Sequence, residues 1–429
     1  MKKILLSISV FSFALSALAQ KPREEINANI LLSGSNYVAY QGPQTTLTPA
    51  PKGYAPFYLS HYGRHGSRYL IGTNDYERPY KILDKADRLG KLTPLGKDVK
   101  KRVKAIWDEA KGRDGELTKL GALQHKQIAK RMMKNFPEIF EGETNVDAKS
   151  TVVIRCILSM ENALQQMLVL NPKLVITHDA SYHDMYYMNQ PDKYLDSLKK
   201  VGTSDAAYVE FTKRHTHPER LMSTIFNDDA YWKDSINSVD LYRKLFSLAS
   251  NQQSTDLRDK VSLYDLFTKE EVYDLWQCNN AFWYIAYGPS KLSGGVQPYS
   301  QRNLLRKIIS EADSCIALKH PGATLRYGHD TMVMPLTCLL GLDGLDKQID
   351  DLEQLDDANW RNYDIFPMGC NLQFVFYRNK KDDKDIIFKV LRNENEATLP
   401  LSTDMAPYYH WSDFKKYYLD KLAAYDKKL

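Results

Sequence analysis

Three times along the chain a short run of β-forming residues gives way to a turn or to a helical stretch. Phe57-Tyr58-Leu59-Ser60 runs into His61-Tyr62-Gly63-Arg64-His65-Gly66-Ser67. Thr151-Val152-Val153-Ile154 hands over to a helical pattern across 159–170. Thr324-Leu325-Arg326-Tyr327 meets Gly328-His329-Asp330 and then an apolar helical run over 331–342. Strands that alternate with helices predict an α/β fold with a mostly parallel, doubly wound central sheet. The binding crevice of such a sheet lies outside the carboxyl ends of its strands. The turn at 61–68, Arg155 and His329-Asp330 all stand just after predicted strands. They meet at one spot if those strands are neighbours.

The remaining pattern fills in around that frame. Residues 117–136 read as an amphipathic helix, with Thr118 as N-cap and Pro137 as stop. Residues 174–177 read as a further strand. The runs 372–378 and 386–392 flank a polar loop, Asn379-Lys380-Lys381-Asp382-Asp383-Lys384-Asp385, and read as a hairpin. Between about 180 and 305 strand-like runs become rare, and aromatic and charged residues fall at helical spacing. The expected organisation is an α/β core from 24–170 and 305–429, with a mainly helical cap over 171–304 and the site between them. The Tyr182–Met188 segment, rich in aromatic residues and Met, is expected in the cap core.

The chain opens with Lys2-Lys3, an apolar stretch from Ile4, and the small-residue end Ala17-Leu18-Ala19. This reads as a cleavable signal peptide over 1–19, which implies a periplasmic or secreted protein. No cysteine stands at the cleavage point and no later stretch reads as a membrane span, so no membrane anchor is expected. A net charge of +5 over 429 residues is too balanced to argue for nucleic acid. In an exported chain the five cysteines (Cys156, Cys278, Cys315, Cys338, Cys370) allow two disulfides and one free thiol. Their spacing fits no zinc or redox pattern.

The sharpest local feature is Arg64-His65-Gly66-Ser67-Arg68. Imidazole is a good nucleophile near neutral pH once its tautomer is fixed. A phosphoryl group held in line with it carries charge on its equatorial oxygens, and guanidinium forks match those oxygens. Glycines let the backbone come close to the phosphate. A basic surface turn is the bland alternative, and the position directly after a strand argues against it.

Together with three other segments, this motif resembles the histidine acid phosphatases, the larger branch of the histidine phosphatase superfamily, which includes phytases and multiple inositol polyphosphate phosphatases. The segments are Leu117-Thr118-x-x-Gly121-x-x-Gln124-His125, Thr151-x-x-x-Arg155-x-x-x-Ser159 and Gly328-His329-Asp330-Thr331. All four appear in family order. The lead-in Pro49–Tyr69 looks closer to the bacterial inositol polyphosphate phosphatases. The resemblance implies His65 as the nucleophile that becomes phosphorylated. It implies Arg64, Arg68, Arg155 and His329 as phosphate ligands, and Asp330 as the acid that protonates the leaving alkoxide. It implies no metal and no cofactor, and a small phosphate ester as substrate. One departure bears on substrate: inositol polyphosphate phosphatases of that branch commonly carry His-Ala-Glu where this chain has His329-Asp330-Thr331.

Phytate and other inositol polyphosphates are the leading substrate expectation, with sugar and other small phosphate esters as the alternative. A phosphate-transferring mutase and an inactive phosphate-binding protein are the rival classes. Thr118 and Gln124 are expected to be structural. The pairs His178-Asp179 and His183-Asp184 are read as structural or rim residues. His215-Thr216-His217 is read as part of a solvated face.

Overall fold

The computed structural model describes residues 21–203 and 205–427. The predicted leader over 1–19 lies outside them. The centre is one sheet of eight strands: β1 (Tyr54–Arg64), β2 (Asn145–Ser150), β3 (Val175–Asp179), β4 (Gly322–Gly328), β5 (Asn371–Asn379), β6 (Ile386–Arg392), β7 (Asn395–Ala397) and β8 (Tyr409–His410). The order is β3-β2-β4-β1-β5-β6-β7, with β8 also on β6. From β3 to β1 every ladder is parallel; from β1 outward every ladder is antiparallel. The sheet is therefore mixed, which corrects the expectation of a mostly parallel one. The cause is visible at its far half. The turn-rich loop after Asn379 closes a hairpin instead of a crossover, as its sequence predicted, and short connections force antiparallel neighbours.

The principal helices are α1 (Thr73–Arg88), α2 (Pro94–Ala110), α3 (Lys119–Asn135), α4 (Ile154–Leu170), α5 (Ser238–Asn251), α6 (Lys269–Tyr287), α7 (Arg302–Ile316), α8 (Asp330–Leu340) and α9 (Trp411–Asp426). Alternation along the strands assigns each face. Tyr58, Tyr62, Phe374 and Phe376 pack with α6, α7, α8 and α9. Leu59, Val375, Val146 and Leu325 pack with α3 and α4. Both faces are covered, so β4 is buried throughout and β1 from Pro56 onward. No helix among the described residues is long and apolar enough to cross a membrane.

A third apolar cluster lies off the sheet. It joins α5 and the first half of α6 to α1 and α2 through Leu83, Val99, Val103, Leu241, Leu245 and Trp276. The helical layer thus draws on 73–110 as well as on the expected insertion, so those residues do not belong to the sheet core alone. Tyr187 and Met188 enter the sheet-side core, whereas Tyr182 and Tyr186 are exposed.

Two strand boundaries differ from the sequence reading. β1 does not stop at Ser60 but runs through His61-Tyr62-Gly63-Arg64, held on both sides by β4 and β5. The second strand is Asn145–Ser150, with Val146, Ala148 and Ser150 buried and polar residues between them. Val152-Val153 only links it to α4, which begins at Ile154. Two adjacent β-branched residues outweighed a more polar alternation in the sequence. Arg155 therefore sits in the first turn of a helix, not at a strand end.

All five cysteines are free thiols, spread over α4, α6, α7, α8 and the approach to β5. This overturns the expectation of two disulfides. A reductant should accordingly leave the thermal unfolding midpoint unchanged; a fall of several degrees would mean that a bridge forms after all.

Candidate active site

Parallel pairing of β1 with β4 sets Arg64 opposite Gly328. The pairing continues one step further, where the His65 amide donates to the Gly328 carbonyl at 2.8 Å. His65 and His329 therefore leave adjacent strand ends side by side, with ring centroids 5.9 Å apart and nearly perpendicular. The third element is α4, from the neighbouring β2, whose first turn carries Arg155.

The loop after β1 is clamped by residues of the flanking motifs. Ser159 Oγ accepts from the Gly66 amide at 3.1 Å, and Gln124 Oε1 accepts from the Ser67 amide at 2.8 Å. Thr118 Oγ1 donates to the Ser67 carbonyl at 3.1 Å while capping α3 through the Gly121 amide. Thr118, Gln124 and Ser159 thus hold backbone. Gly121 is required by proximity: a Cβ there would lie 2.2 Å from the Ser67 carbonyl oxygen and 2.8 Å from its amide nitrogen.

His65 is buried, and its Nδ1 lies 2.9 Å from the Gly66 carbonyl oxygen. A carbonyl only accepts, so Nδ1 carries the proton and Nε2 keeps its lone pair. Burial holds the imidazole well below its ordinary pKa, and the charges of Arg64, Arg68, Arg155 and His329 add to this. All three arginines thus act on the ring through their charge. His329 is also buried and held down to about 4, by burial and then by Arg155. Its Nε2 is 3.1 Å from Thr151 Oγ1.

Arg64 is wholly buried. One Nη donates to the carbonyls of Asn36 (2.6 Å) and Phe366 (2.8 Å), and the other pairs with Asp330 Oδ2 at 2.7 Å. Arg68 donates to the Tyr69 carbonyl at 2.8 Å, and its guanidinium lies 5.6 Å from the centre of the Tyr37 ring. The Nε atoms of Arg64, Arg68 and Arg155, and Ser67 Oγ, are buried and find no partner in the protein. Donors left in this way cost free energy unless an anion or water meets them. Asp330 opens α8; its Oδ1 accepts from the Thr331 amide at 2.9 Å. Burial pushes its pKa up, but Arg64, Arg68, the Asn36 side chain and His329 outweigh burial, so the carboxyl stays below its usual range. Three guanidiniums around one carboxylate leave a net positive hollow, suited to a phosphate dianion.

All six sequence-predicted residues thus come together. Asn36, Tyr37, Ser67 and Thr151 were not singled out. Ser67 lies inside the Arg-His-Gly-Ser-Arg motif and was legible there; Asn36 and Tyr37 carry no local signal. His178 pairs with Glu161 at the surface, and among the described residues no three His, Cys, Asp or Glu side chains converge as a metal site. His215 departs from the solvated face expected for it. It is half-buried between Asp274 (3.0 Å) and Glu353 (2.9 Å), and the Asp274 hydrogen bond raises its pKa.

A model of the histidine phosphatase superfamily (branch 2) matches residues 63–393. The chain belongs to that family. It is a histidine-type phosphoric monoester hydrolase, and phosphohistidine chemistry is general to the branch. The human multiple inositol polyphosphate phosphatase 1 is 24% identical over 343 residues, which span 72% of this chain and 67% of that protein. In fold, the phosphatase resembles the multiple inositol polyphosphate phosphatase of Bifidobacterium longum, solved in complex with inositol hexasulfate. That match has a TM-score of 0.71 and 19% identity, and covers 90% of this chain and 97% of that one. It also resembles the phytase from D. castellii, with a TM-score of 0.65, 14% identity and coverage of 92% and 85%.

Two expectations follow. Gly121→Ala should push the His65 loop out of place and lower both stability, by about 1–3 kcal/mol, and phosphatase turnover; unchanged thermal unfolding and kcat would refute the close approach. The second concerns acid. His61 (held down to about 3 by burial), His125 (about 4, also by burial), His329 and His65 are neutral in the fold but protonate near pH 6.5 when unfolded. Below that pH the unfolded chain takes up more protons, so stability falls as pH drops from about 6.5 toward 4, by up to about 1.4 kcal/mol per pH unit for each histidine. Urea unfolding at stepped pH measures the slope, and a flat profile would contradict the burial of these rings.

Proposed function

We propose that this phosphatase hydrolyses inositol polyphosphates such as phytate through phospho-His65, with Asp330 as general acid, in an exported setting. The observation that carries the reading is a neutral imidazole whose Nδ1 proton is fixed on the Gly66 carbonyl, ringed by Arg64, Arg68 and Arg155. His65 Nε2 attacks phosphorus as the ester oxygen departs. The three arginines and His329 bind the phosphoryl oxygens. Arg64 does so through Nε, while its Nη atoms stay with Asp330 and the two carbonyls. Asp330 gives its proton to the departing alkoxide. Its carboxyl is held ionised by the nearby cations; a bound phosphate dianion neutralises those cations and lifts the pKa, which supplies the proton when the ester is in place. Water then attacks phospho-His65, and inorganic phosphate leaves with the imidazole restored.

The substrate class draws on two supports. The human and B. longum relatives are named for inositol polyphosphates. Next to Asn36 and Tyr37 a cavity of about 310 Å³ continues toward Tyr208, Arg243, Asn279 and Trp283, offering aromatic faces and a cation to a leaving group that carries further phosphates. The His329-Asp330-Thr331 triplet, in place of His-Ala-Glu, favours a second reading, in which sugar and other small phosphate esters are turned over as well. Export rests on the basic-apolar leader over 1–19.

Phosphate release from phytate, glucose phosphate and an aryl phosphate tests the proposal. His65→Ala should abolish turnover of all three. Asp330→Asn should cost about 10²–10⁴-fold on the alkyl esters and far less on the aryl ester, whose phenolate leaves without an acid. Turnover that survives without His65 would overturn the mechanism, and preference for glucose phosphate over phytate would overturn the substrate class.

A further inference from the structure

The segment Ile30–Tyr37 forms a 3₁₀ turn that ends beside the phosphate site, although it precedes the family-matched residues 63–393. Its last residues touch two groups of the site. Asn36 Nδ2 donates to Asp330 Oδ2 at 3.2 Å, and the Asn36 carbonyl accepts from the Arg64 guanidinium at 2.6 Å. Asp330 Oδ2 therefore accepts from Asn36 and pairs with the Arg64 cation, while Oδ1 accepts from the Thr331 amide. Of these three partners only the Asn36 amide is neither a phosphate-facing cation nor backbone.

The way the segment is fixed shows that Asn36 is aimed. Ser35 holds φ 58° and ψ −124°, a conformation that favours glycine and that a serine keeps only when its surroundings enforce it. Ser35 Oγ donates to Asn279 Oδ1 at 3.0 Å on α6 and accepts from Asn362 Nδ2 at 2.5 Å. On either side Ser33 Oγ bonds Tyr264 at 3.2 Å, and the Ala39 amide donates to Gln253 at 3.0 Å. Asn36 itself is buried and borders the cavity lined by Tyr37, Arg243 and Trp283.

We propose that Asn36 is a positioning residue for the general acid, orienting the Asp330 carboxyl toward the leaving oxygen and setting the pH at which it gives up its proton. The proposal rests on the reading of Asp330 as that acid. An N–H that donates to a carboxylate favours its ionised form. Removing it raises the pKa of Asp330, so the protonated, catalytic form persists to higher pH. The basic limb of kcat on an alkyl ester then moves upward. The other groups facing Asp330 are Arg64 and Arg68 on β1 and its loop, Arg155 and Cys156 on α4, His329 beside it, and Cys370 before β5. The arginines are cationic throughout and burial raises both thiols, so neither group supplies a competing titration in the neutral range.

The test is the pH profile of kcat for Asn36→Ala and Asn36→Leu on an alkyl and an aryl phosphate, beside wild type and Asp330→Asn. The expected result is a basic limb raised by on the order of one pH unit on the alkyl ester. Its optimum rate should fall on the order of tenfold, with a far smaller loss on the aryl ester. Inhibition by inorganic phosphate should persist in both variants, which reports an assembled site. An unmoved limb, with equal losses on both esters, would reduce Asn36 to packing and overturn the proposal. So would loss of phosphate inhibition in both variants. The underlying reading fails separately: Asp330→Asn would then lose as much on the aryl as on the alkyl ester.

Discussion

Parallel pairing between β1 and β4 is the constraint from which the site follows. Its register puts Arg64 opposite Gly328, so the two strands end together and release His65 and His329 on one edge of the sheet. β2, on the other side of β4, ends level with it at Ser150 opposite Tyr327, and this delivers α4 with Arg155 in its first turn. A slip of one residue in either ladder would turn these side chains to the opposite face. The register is secured by burial on both faces, because Tyr58 and Tyr62 belong to one core and Leu59 to the other.

Charge is organised around that edge in an unequal way. Three guanidiniums meet one carboxylate, and two neutral histidines stand among them. Arg64 is the pivot, since one Nη pairs with Asp330 while the other holds the carbonyls of Asn36 and Phe366. The site thereby gathers an excess of buried positive charge around one carboxylate. Burial keeps the His65 ring neutral, and the same surplus of charge reinforces it.

Much of this was legible locally. The Arg-His-Gly-Ser-Arg turn, the Thr118 cap, the 372–392 hairpin and the His329-Asp330 helix start are short-range patterns, governed by turn chemistry and side-chain periodicity. The failures share a cause as well. Asn145–Ser150 was passed over because alternation with Asp147 and Lys149 is weaker than two adjacent valines. The His215 imidazole was placed in solvent because its partners, Asp274 and Glu353, lie far along the chain. The mixed sheet escaped notice because a hairpin at one edge does not reveal which strand it joins.

The sequence by itself determined the candidate site groups and their immediate geometry: a histidine between two arginines after a buried strand, and an aspartate at a helix start. These follow from covalent neighbours and a few residues of spacing. Tertiary structure alone decided that Arg64 spends its Nη atoms on Asp330 and two carbonyls. It alone brought Asn36 across nearly three hundred residues to the same carboxylate, and joined α1 and α2 to the helical layer. The reason is physical. Hydrogen bonds and ion pairs in a buried site depend on which elements pack together, and packing is settled by the whole apolar surface rather than by any local pattern.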